Sequence, residues 1–120
     1  ESQEKEYILK NSIKNFNVQE IRLKGIDNFI EDILKCFSSV KKIYISFDVD
    51  SLDPDSVSQG TGTPVVNGFE TSEIISIIKA IIKTNKVIAL EVSEINPLLD
   101  NKGNMMAEKT FEIIKNIFKN

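Results

Sequence analysis

The sequence predicts an α/β fold in which parallel strands lie against helices. Three observations carry that prediction. Two short apolar runs are rich in β-forming residues, Ile43-Tyr44-Ile45-Ser46-Phe47 and Val87-Ile88-Ala89-Leu90; patterns of helical period stand before, between and after them; and turn signals separate one from the next.

In chain order, Gln3 to Asn11 is polar but carries Tyr7, Ile8 and Leu9, and reads as a helix. Ile13 to Val18 is a candidate short strand. After Gly25, with Asp27 in the opening turn, Ile26, Phe29, Ile30, Ile33, Leu34 and Phe37 recur at the spacing that gives a helix one apolar side. Lys41-Lys42 introduces a strand from Ile43 to Asp48, and a turn containing Pro54 follows it. A loop from Ser51 to Phe69 leads to a helix from Thr71 to Lys83. There Thr71 is the expected N-cap, Glu73 faces the positive helix end, and Ile74, Ile75, Ile77, Ile78, Ile81 and Ile82 form the buried side. Lys86 to Val92 is a further strand, Asn96-Pro97 breaks it, and Met105 to Phe118 is the last helix. Strands alternating with helices imply parallel pairing through right-handed crossovers.

At 120 residues, 41% of them hydrophobic, the chain is one domain at most, with enough apolar side chains for a core. A net charge of −3 with lysines interspersed among acids leaves no basic field for nucleic acid. Cys36 is the single cysteine, which excludes an internal disulfide, points to a reducing compartment and suggests a small buried side chain in a helix. No apolar run approaches the roughly 20 residues of a membrane helix, and no signal-peptide pattern opens the chain, so a soluble, cytoplasmic protein is expected with no membrane partner. There is no histidine, so Ser/His/Asp or Cys/His catalysis and His-ligated metal cannot be completed within these residues. The first residue is Glu within a helical pattern, and the chain is expected to be a fragment.

Chemistry concentrates where the strands end. In a strand, residues two apart share a face, so Asp48 and Asp50 would point the same way with Cα atoms roughly 6.5 Å apart. Two such carboxylates repel unless one keeps its proton or a divalent cation joins them. Asp53 follows them, and Glu91 and Glu94 lie at the end of the next strand, at the carboxyl edge where α/β sheets bind ligands. These five acids are either a solvated rim or a metal site, and the metal site explains them better. Gly60-Thr61-Gly62-Thr63-Pro64-Val65 adds backbone amides and hydroxyls that could approach a ligand, but it lacks the lysine of a phosphate-binding P-loop.

Three ordered motifs, Ser46-Phe47-Asp48-Val49-Asp50 with Leu52-Asp53-Pro54, then Gly60-Thr61-Gly62-Thr63-Pro64, then Glu91-Val92-Ser93-Glu94-Ile95-Asn96-Pro97, resemble the C-terminal part of the ureohydrolases, and most closely arginase. Val65 favours arginase over agmatinase, which tends to carry Glu there. The resemblance implies part of a three-layer α/β/α fold with an eight-stranded parallel sheet, and a homotrimer of complete chains. It implies two Mn2+ ions, with Asp48 and Asp50 as ligands. It further implies that Glu94 pairs with the substrate guanidinium, that Thr63 and, through a loose match, Glu4 lie near the substrate, and that Glu91 and Asp53 support the ligands from behind. The implied reaction is hydrolysis of L-arginine to L-ornithine and urea.

The departures are as informative. The family's histidine ligands, its remaining aspartate ligands and its proton-shuttling residues belong to N-terminal motifs absent here, so no catalytic residue is assigned and the fragment alone is expected to be inactive. Gln59 stands where proline is usual before Gly60. Agmatinase or another guanidino-ureohydrolase, or a non-catalytic acidic α/β module, are the competing readings.

Overall fold

A computed structural model describes residues 2–119 of the chain. In order the elements are α1 (Ser2–Lys10), α2 (Val18–Lys24), α3 (Ile26–Cys36), β1 (Ile43–Asp48), a 3-10 turn (Val49–Ser51), α4 (Thr71–Ile82), β2 (Val87–Ser93) and α5 (Met105–Ile117). β1 and β2 pair in parallel, with α4 as the crossover. The α/β expectation holds, with two strands rather than three among the described residues.

The strand expected from Ile13 to Val18 does not form. Residues 13–17 are irregular and Val18 opens α2. Asn17 accepts a hydrogen bond from the Glu20 amide at 2.8 Å, and the Glu20 carboxylate accepts one from the Asn17 amide at 3.3 Å. This reciprocal cap commits the chain to helix, whereas an isolated strand has no partner for its amides. Gly25, at φ 89°, then turns the chain directly from α2 into α3. At α4 the N-cap is Glu70 rather than Thr71, and the Glu70 amide donates to Glu73 Oε2 at 2.8 Å. Cys36 is only half-buried, and its Sγ accepts from Lys14 Nζ at 2.9 Å, so it is not the core residue expected.

The register of the sheet decides which side chains meet the helices. Ile43, Ile45 and Phe47 pair with Val87, Leu90 and Val92, all of them in or against the core. Tyr44, Ser46 and Asp48 pair with Ala89, Glu91 and Ser93 on the opposite face, and the slip between Ile43 and Tyr44 leaves Ile88 outside the ladder. One cluster joins Phe47 and Val49 to Ile74, Ile78, Met106, Ile113 and Ile117; a second joins Ile21, Phe29 and Ile43 to Ile77 and Ile81. All four of these α4 isoleucines are buried, as their spacing predicts. Part of the exposed apolar surface is on the sheet, where Tyr44 is 56% and Ile88 65% exposed. The chain therefore supplies a helical layer and a strip of sheet, and the other sheet face is open, as in a part of a three-layer α/β/α fold.

Candidate functional site

Parallel pairing brings the carboxyl ends of β1 and β2 side by side, with Asp48 opposite Ser93. Asp48 and Asp50 are close, though by a different device from the one strand spacing suggests. The strand stops at Asp48, which caps the 3-10 turn: its Oδ1 accepts from the Asp50 amide at 2.9 Å, and its carbonyl accepts from Ser51 Oγ at 2.6 Å. Val49 points fully into the core and anchors the turn from below.

Asp50 carries the sharpest signal. Its Oδ2 accepts a hydrogen bond from the Thr63 hydroxyl, while its Oδ1 is buried with no partner among the described residues. Buried carboxylate oxygens are seldom left unpaired, because the lost hydration is not recovered.

Thr63 is delivered by a loop that closes on itself. At its base the Phe69 amide donates to Ser51 O at 2.7 Å and the Asp53 amide to Phe69 O at 3.0 Å. Gly68 sits in this closure, where a methyl group would come within 2.7 Å of backbone atoms of Ser51, Leu52 and Asp53. Arg22 braces the exit, donating to Gly68 O at 2.7 Å and in a fork to Glu73 at 2.9 and 2.8 Å. Higher up, Gly60 O accepts from the Asn96 amide at 2.8 Å, tying this loop to the segment after β2. Glu94 lies on that segment at φ 68°, a left-handed backbone that disfavours a side chain. A methyl group on Gly62 would stand 3.8 Å from Glu94 Oε2, so the Glu94 carboxylate faces the residue next to Thr63.

Asp48, Asp50, Thr63 and Glu94 are thus gathered at one end of the sheet; the other predicted residues are not part of that group. Asp53 folds its carboxylate into its own turn, accepting from the Asp55 amide at 2.9 Å and the Ser56 amide at 3.3 Å. Glu91 lies on the open sheet face and accepts from Ser46 Oγ at 2.7 Å. The Tyr44 hydroxyl bonds it too and, with Ser46, holds the Glu91 carboxyl below its usual range, while the Tyr44 phenol is raised by the same bond. Glu4 is exposed on α1, a helix with no buried residue. The five-acid cluster expected from the motifs is therefore not assembled: among the described residues no three of His, Cys, Asp and Glu are placed to hold a metal.

Asp100 was missed. It accepts from the Met106 amide at 2.8 Å and the Lys102 amide at 2.9 Å. Burial works against its ionisation, but those amides, the Ser58 hydroxyl and Lys102 outweigh it and keep the carboxyl below its usual range. A lone Asp in a loop has no periodic signature, and of its partners Ser58 is distant in sequence.

The donor set fits a hard divalent cation such as Mn2+ in kind: carboxylate oxygens at a strand end, one of them buried and unpartnered. In number it supplies two ligands, so the rest must come from outside these residues. The parallel strand pair with its acidic carboxyl end, packed on a layer of helices, defines a protein of the α/β class. The Arginase family model matches residues 1–119. Human arginase-1 is 43% identical over 96 residues, covering 78% of this chain and 30% of its own length. The arginase of Bacillus subtilis strain 168 is 30% identical over 114 residues, covering 95% of this chain and 38% of its own length. The crystal structure of Entamoeba histolytica arginase in complex with L-ornithine superposes with a TM-score of 0.89 at 26% identity, over 100% of this chain and 40% of that one. The chain belongs to the arginase family. It spans between 30% and 38% of the length of these two curated relatives.

Proposed function

We propose that these residues are the C-terminal part of a single catalytic domain that hydrolyses a guanidino substrate, L-arginine, to L-ornithine and urea with two Mn2+ ions. The observation that carries this reading is Asp50, with one oxygen held by Thr63 and the other buried and unpartnered. Asp48 and Asp50 would hold the metal, which when bound supplies a Lewis acid and lowers the pKa of water. Thr63 orients Asp50. Glu94, held beside Gly62 on a left-handed backbone, offers a carboxylate whose two oxygens match the planar fork of a guanidinium. Family membership supports the reaction class, and the ornithine held by the Entamoeba histolytica arginase supports the substrate. A homotrimeric assembly and a cytoplasmic location complete the proposal, the latter supported by a single cysteine.

The test uses the full-length protein with Mn2+, assaying urea from L-arginine and from agmatine. Asp48→Ala and Asp50→Ala should lose metal and urea release together, whereas Glu94→Gln should keep the metal and lower turnover by orders of magnitude. Full metal occupancy in both aspartate variants would refute the metal assignment. Faster hydrolysis of agmatine than of L-arginine would transfer the protein to the agmatinase reading.

A further inference from the structure

We propose that Asp100 is a positioning residue that clamps the Thr63-bearing loop onto the Glu94-bearing segment and the start of α5, fixing how far apart these two site groups stand. The identity of the site groups rests on the function proposed above; the clamp is read from the contacts alone.

Asp100 accepts from the amides of Lys102 at 2.9 Å and Met106 at 2.8 Å, which bends the chain after β2 back onto α5. It also accepts from the hydroxyl of Ser58, a fully buried residue. Ser58 Oγ in turn accepts from the Gly60 amide at 3.3 Å, so the carboxylate reaches the loop backbone three residues before Thr63. Two further bonds run in parallel: the Gln59 amide to Asn101 Oδ1 at 2.9 Å, and the Asn96 amide to Gly60 O at 2.8 Å, two residues after Glu94. Contact here is too close for any side chain at position 60, since a methyl group would stand 2.8 Å from Asp100 Oδ2 and 2.6 Å from Met106 Cβ. Among the described residues Asp100 is the one carboxylate that bonds both the loop, through Ser58, and the first turn of α5. Its role is mechanical: among the described residues no hydrogen bond joins it to Asp50 or Glu94, and it sets where their loops sit.

The experiment uses the full-length protein with Mn2+ and compares wild type with Asp100→Asn, Ser58→Ala and a control, Ile21→Val, in the other core cluster. Asp100→Asn keeps the shape but turns one acceptor into a donor; Ser58→Ala cuts the link to Gly60 and disturbs packing least. Amide hydrogen exchange at residues 59–63 and 94–96 should quicken about tenfold in both site variants, and kcat/KM for L-arginine per folded protein should fall about tenfold. The Ile21→Val control, which lowers the melting temperature without touching the clamp, should leave both readings at wild-type values. Unchanged exchange at 59–63 in either site variant would overturn the clamp, as would an equal loss of kcat/KM in the control. If the wild-type protein releases no urea from L-arginine, the functional proposal fails by itself, and the exchange data alone decide the clamp.

Discussion

Replacing Thr63 by valine in the full-length protein keeps the branched shape and removes the hydroxyl that donates to Asp50 Oδ2. Asp50 would then have no side-chain donor on either oxygen, because Oδ1 has none among the described residues. A hydrogen bond to a charged group contributes about 1.5–3 kcal/mol. Thr63 is exposed and Asp50 half-buried, so water replaces part of the lost bond and the lower end, about 1.5 kcal/mol, applies. That converts to about a tenfold loss of Mn2+ affinity, the lower bound of what orienting partners of metal ligands contribute. The assay is competition for Mn2+ against a fluorescent chelator, with urea release measured separately at saturating metal. Thr63→Ser, which restores the hydroxyl, should restore affinity. Wild-type Mn2+ affinity in Thr63→Val together with a raised KM for L-arginine would refute the reasoning and set Thr63 against the substrate instead.

Three further outcomes follow from the same geometry. The fork from Arg22 holds the Glu73 carboxyl below its ordinary value of 4.5, so its contribution is complete above that value and is lost as pH falls through the lower folded value. Glu73→Gln should therefore lower the melting temperature by about 2–4 °C at neutral pH, corresponding to about 1 kcal/mol, with the gap closing below pH 4.5; a gap that widens on acidification would contradict it. Gly68→Ala sets a methyl group 2.7 Å from three backbone atoms and should destabilise by about 3 kcal/mol, measured as a lower denaturant midpoint at unchanged slope. An unshifted midpoint would mean that the loop base yields freely. The isolated 120 residues, with Tyr44 and Ile88 uncovered, should self-associate in light scattering and release no urea with Mn2+ supplied; a monomer with a sharp melt would count against the open-face argument.

The elements that sequence made legible are those whose pattern is long or whose boundaries are marked. β1 was found from Ile43 to Asp48 because charged residues and a turn bracket its apolar run, and α4 because its isoleucines repeat over three turns. α2 was lost because seven residues are too few for a period, although Asn17 and Glu20 already stood at capping-box spacing. Reading Ile13 to Val18 as a strand failed since side-chain preference alone supplies no partner for a backbone ladder. At the site, the motifs named Asp48, Asp50, Thr63 and Glu94, which the fold brings to one sheet end. They did not reveal that Asp48 caps a 3-10 turn, that Asp53 is spent on its own turn, or that Asp100 accepts from the amides of Lys102 and Met106, because each depends on where a side chain points after folding.

α4 enters both apolar clusters, giving Ile74 and Ile78 to one and Ile77 and Ile81 to the other. The two cores accordingly share a keystone. Withdrawing that helix would open both at once, so α2, α3 and α5 melt with the sheet as one cooperative unit rather than in sequence. α1, with no residue in either cluster, stands outside this unit, and a protease should find it before it finds anything else.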